Sequence, residues 1–144
     1  MKPKAFTKSI QDGKTESGYL FLGNEMFFRD RCRQALKKAV IGDDAEAFVE
    51  IDLKKESLTR LWDETRSFSL FSTARLIVGV NAEAVLPRAR SAAADEAQQE
   101  MKRYFADPTP GVVVVFECAK FDARERDDKA KADRVAKFFD AVPV

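Results

Sequence analysis

Val112-Val113-Val114-Val115-Phe116-Glu117-Cys118 constrains this chain more than any other stretch. Four consecutive β-branched residues lose side-chain freedom in a helix and pack well on a pleated surface. The run is apolar on both faces, so it reads as a strand that needs cover on both sides. Tyr19-Leu20-Phe21-Leu22, stopped by Gly23, has the same character and reads as a central strand. So does Arg75-Leu76-Ile77-Val78-Gly79-Val80-Asn81. Phe48-Val49-Glu50-Ile51-Asp52-Leu53 instead alternates apolar and charged residues, which marks a strand nearer an edge.

Helical patterns separate these strands. Asn24 is a candidate cap, followed by Phe28, Cys32, Ala35, Leu36 and Ala39 at helical spacing, with Gly42 as the stop. Ser57 can cap a second helix whose buried stripe is Leu58, Leu61, Trp62 and Thr65. Pro87 to Ser91 reads as a loop, and Ala92 to Phe105 as an alanine-rich helix. That helix halts before Asp107-Pro108-Thr109-Pro110-Gly111. Beyond a charged connection, Lys129 to Phe139 places Ala132, Val135, Ala136 and Phe139 on one side. Ala141-Val142-Pro143-Val144 is expected to begin a further extended segment. The order is therefore β-α-β-α-β-α-β-α, with a last strand beginning. Such alternation predicts an α/β fold, a parallel sheet with helices on both faces. Residues 1–17 read as a polar N-terminal leader, in which Phe6 and Ile10 could form a short packed helix. Residues 18–144 read as one domain, expected to be cut from a longer chain because it stops inside a strand.

Composition narrows the chemistry. Lys and Arg number 25 against 24 Asp and Glu, so net charge offers no strong case for nucleic acid or a membrane surface. Histidine is absent, which removes the commonest general base and zinc ligand. Cys32 and Cys118 form no CxxC pair and read as buried reduced thiols. No signal peptide or membrane span is visible, so a cytoplasmic location is expected.

Phosphates bind such folds at the first strand-to-helix turn, on helix N-terminal amides. That turn, Gly23-Asn24-Glu25, has one glycine, no lysine and a carboxylate where an anion would sit. It is a degenerate phosphate loop, and standard nucleotide binding is not expected. Glu50 and Asp52 share a strand face and could hold a metal or be the solvated side of an edge strand; the second reading is favoured. Arg29, Arg31, Arg33, Lys37 and Lys38 make the first helix basic, more in keeping with a solvated face than with a nucleic-acid site. Asp127, Asp128 and Asp133 fall among Lys129, Lys131 and Arg134, as on a salt-bridged surface helix. No cofactor, metal or catalytic residue is expected.

Arg66-Ser67-Phe68-Ser69-Leu70-Phe71-Ser72 is the unusual segment. Connections between a helix and a strand are usually polar, yet this one carries three large apolar side chains. If the second helix continued at 100° per residue, Phe68 would lie about 80° from Leu58, at the edge of the buried stripe. Leu70 and Phe71 would lie beyond about 100° on either side and point outward. If the helix ends first, both can fold under. The residues alone leave burial against the core and display to a partner open.

Tyr19-Leu20-Phe21-Leu22-Gly23-Asn24-Glu25, followed by Phe68-Ser69-Leu70-Phe71-Ser72 leading into Arg75-Leu76-Ile77-Val78, resembles the N-terminal domain of the delta subunit of bacterial DNA polymerase III. In that family an L-x-G-[ND]-[DE] turn opens the chain and an S-L-F or P-L-F motif precedes the third strand. The resemblance runs from about Tyr19 to Phe139. Two positions depart from the pattern: Phe68, where an aliphatic residue is usual, and Gly79 within the third strand. The resemblance implies an AAA+-like module without a functional Walker A motif and without ATP hydrolysis. It implies a clamp-loader subunit of the polymerase III holoenzyme, a nucleotidyltransferase complex, acting in DNA replication. Leu70 and Phe71, with Phe68 beside them and Ser69 and Ser72 flanking, would enter an apolar pocket of the sliding clamp (the beta subunit) and loosen its interface. Lid and collar domains, absent from residues 1–144, would contact other clamp-loader subunits, and DNA contact would be weak or indirect. The alternative kept beside this is a small α/β nucleotide-binding or enzymatic domain with an atypical phosphate loop. A third is a bare structural domain of another AAA+ assembly.

Overall fold

The computed structural model describes residues 8, 15–22, 26–42, 47–66, 74–85, 92–118 and 134–143. Among the described residues, four strands form one sheet: β1 (Gly18–Leu22), β2 (Phe48–Asp52), β3 (Arg75–Val80) and β4 (Val112–Cys118). Three helices lie between them: α1 (Met26–Val40), α2 (Leu58–Arg66) and α3 (Ala92–Ala106). A 3-10 turn at Ala82–Val85 follows β3, and residues 134–138 are helical.

The strand order is β1-β4-β3-β2, and every pairing is parallel. The chain crosses from one end of the sheet to the other through α1. It then steps back one strand at a time through α2 and α3. Right-handed crossovers place elements that travel in opposite directions on opposite faces, and the core divides accordingly. On one face Cys32 and Leu36 of α1 pack with Tyr19, Leu76, Val78, Val113 and Val115. On the other, Leu61 and Trp62 of α2, Met101 and Tyr104 of α3, and Val135 and Phe139 cover Ile51, Ile77, Val114 and Phe116.

All seven residues of β4 are buried, as a central strand covered twice must be. β2 is an edge strand, as its alternation predicts, with Ile51 buried and Glu50 exposed. In α2, Leu61, Trp62 and Thr65 are buried and Leu58 is half-buried. Ser57 precedes that helix, and its carbonyl accepts the Arg60 amide at 3.1 Å. Gly42 ends α1 with φ 58°, a left-handed conformation glycine adopts without penalty, and its amide donates to the Lys37 carbonyl. Gly79 also has a packing reason. A Cβ there would sit 3.0 Å from Cδ1 of both Leu53 and Leu61, so glycine lets α2 close onto the strand.

Several expectations need correction. Among the described residues β1, expected to be central, lies at one end of the sheet and pairs only with β4. Its two-sided apolarity reflects the two covering layers, with Tyr19 packed toward α1 and Leu20 toward the α2–α3 layer. Residues 141–143 form a turn rather than a strand, and the Val142 amide donates to the Phe139 carbonyl at 3.0 Å. Ala39 and Ala136 are exposed despite their helical spacing. A methyl side chain gains too little from burial to orient a helix by itself. Phe6, Ile10, Phe28, Ala132 and the residues 120–133 lie outside what is described for side chains or backbone.

Candidate functional site

Phe68, Ser69, Leu70, Phe71 and Ser72 lie outside the described residues, as do Gly23, Asn24 and Glu25. The structure does describe the frame that holds the ends of the first group. α2 ends at Arg66 and β3 starts at Arg75, so the apolar stretch connects the two.

That frame is tied at its base. Arg75 Nη1 donates to the Glu64 carbonyl at 2.8 Å, and Nη2 donates to Glu64 Oε2 at 2.7 Å. The Glu64 carbonyl is among the last four of α2, which lack partners inside the helix. The Arg75 guanidinium therefore caps the helix from the neighbouring strand, with its positive charge at the negative end of the helix dipole. Arg60 reaches the other oxygen of Glu64 from one turn back. Burial acts to raise the Glu64 carboxyl, but hydrogen bonds from Arg60 and Arg75 outweigh it and hold the group below the ordinary glutamate range. Thr65 Oγ1 donates to the Trp62 carbonyl at 2.5 Å, and Arg66 faces Glu100 of α3 at 4.0 Å. On the strand side, the Arg75 amide donates to the Gly111 carbonyl. Glu64 and Arg75 were not singled out by motif. The available signal was a charged residue opening an otherwise apolar strand, eleven positions after a glutamate in a helix's last turn.

Ligands in open α/β sheets gather beyond the strand C-termini, at the other end of the sheet. Asp52 and Asn81 meet there: Asn81 Nδ2 donates to Asp52 Oδ1 at 2.9 Å, and the Lys54 amide donates to the same oxygen at 3.0 Å. These bonds lower the Asp52 carboxyl below its usual range and tie two strand ends together. Asn81 adopts φ 55°, a conformation asparagine tolerates better than most residues. Glu50 does not join Asp52. It faces Arg33 of α1 at 3.4 Å, so the two carboxylates serve different partners. Among the described residues, no group of three or more His, Cys, Asp or Glu side chains is placed to hold a metal. Cys118 is fully buried; burial first, then the charge of Glu83, pushes its thiol up to about 12. A thiol so raised is a poor nucleophile.

The basic helix α1 spends part of its charge internally. Arg33 Nε and Nη2 donate to both oxygens of the buried Glu117, at 3.0 and 2.7 Å. Lys37 lies 4.0 Å over the Phe48 ring. No described helix is long and apolar enough to cross a membrane.

A four-stranded parallel sheet covered by helices on both faces defines an α/β domain. The family model described as DNA polymerase III, delta subunit, matches residues 19–141, and the chain belongs to that family. Among solved structures it is similar to the Bacillus subtilis DNA clamp loader delta protein (YqeN), with a TM-score of 0.67 and 17% identity. That match covers 92% of this chain and 40% of the other, so this chain spans well under half the length of that protein. At that identity the likeness shows the fold. No curated protein matches the sequence.

Proposed function

We propose that this domain is a non-catalytic clamp-loader module that binds the sliding clamp through Leu70 and Phe71, with Phe68 beside them and Ser69 and Ser72 flanking. The observation that carries the reading is the family match over residues 19–141, which contains the Phe68–Ser72 motif in the connection between α2 and β3. A short segment with two large apolar residues suits anchor-in-pocket recognition, where a few side chains supply most of the binding energy. Loosening one interface of the ring is the role that follows for the whole subunit, together with further domains that would join it to the other loader subunits. Residues 18–144 are the AAA+-like part of that assembly, and no catalytic residue is assigned to them. The sequence Gly23-Asn24-Glu25, with one glycine, no lysine and a carboxylate, supports a domain that does not use ATP.

Titration of the chain against the sliding clamp of the same organism tests this. Saturable one-to-one binding per clamp pocket is expected, together with no heat signal for ATP and magnesium. ATP binding without clamp binding would favour the nucleotide-binding alternative and overturn the proposal.

A further inference from the structure

We draw no further inference here: the strongest candidate, the Glu83 carboxylate in the 3-10 turn after β3, whose two oxygens are buried beside the Cys118 thiol at the end of β4, is joined by no third ligating side chain among the described residues, and nothing in the structure shows what cation or donor it would meet.

Discussion

Replacing Arg33 with methionine should strongly destabilise the α1 face of the sheet. Arg33 grips Glu117 with two bonds, at 2.7 and 3.0 Å, and the two side chains are 20% and 3% exposed. Hydrogen bonds to charged groups contribute about 1.5–3 kcal/mol each. Removing one partner of a buried pair costs roughly 3–5 kcal/mol, because the other charge stays buried without its counterion. Arg33 keeps a fifth of its surface in water, and Glu117 has interactions beyond this pair, so the lower end applies, about 3 kcal/mol. For a chain of this length that is a fall in melting temperature of about 6–12 °C. Arg33→Met with Glu117→Leu removes the stranded carboxylate as well, and should recover at least half of the loss. Urea unfolding followed by circular dichroism provides all the values of this cycle. A loss under about 1 kcal/mol for Arg33→Met, or a double variant showing the plain sum of the single losses, would refute a buried, coupled pair.

Three further outcomes are expected. Gly18→Ala would place a Cβ 2.5 Å from Phe105 Cε1 and 3.2 Å from Pro143 Cδ; the overpacking should cost about 1–3 kcal/mol, and unchanged unfolding would show that Phe105 does not rest on β1. Glu64 binds a proton less readily in the folded chain than in the unfolded one, so its stabilisation is complete above the ordinary glutamate range and lost as pH falls through its depressed folded value. The stability gap between the parent and Glu64→Gln should therefore shrink as pH falls through the ordinary glutamate range, about 4.3, and below it, and a constant gap would contradict the Arg60–Glu64–Arg75 arrangement. Burial raises both Cys32 and Cys118, the latter to about 12; a thiol reagent at mildly alkaline pH should label neither before unfolding, and rapid labelling of the native chain would contradict their burial.

Much of the fold was legible because periodicity is local. Val112–Cys118 is apolar on both faces whatever its neighbours are, and Glu50 and Asp52 mark an edge because a charged face needs water. Trp62 and Thr65 follow from helical phase. Strand order is a different kind of information. Tyr19–Leu22 has the composition of a central strand because two helical layers cover it, and composition does not distinguish cover above and below from pairing on both sides. The long-range ion pairs were hidden for a related reason. Arg33 and Glu117 are 84 positions apart, and Arg75 and Glu64 meet only once β3 has folded against α2. The turn at residues 141–143 escaped because Ala-Val-Pro-Val has strand composition, while Val142 instead folds back onto the end of the last helix. The candidate anchors Leu70 and Phe71 were visible as a chemical anomaly, apolar residues where polar ones are usual, and the target proposed for them comes from the family resemblance.

The central claim is that Leu70 and Phe71 serve a partner rather than the core, and one measurement separates the two directly. The double variant Leu70→Ala, Phe71→Ala is compared with the parent by titration against the sliding clamp and by thermal melting of the free chain. Each anchor buried in an apolar pocket contributes about 1.5–3 kcal/mol, so the pair should weaken binding by about 10²–10⁴-fold. The melting temperature should move by no more than about 2 °C, since surface side chains change stability little. Unchanged clamp affinity with a melting temperature lowered by about 10 °C or more would show that the two residues belong to the core, and would contradict the account.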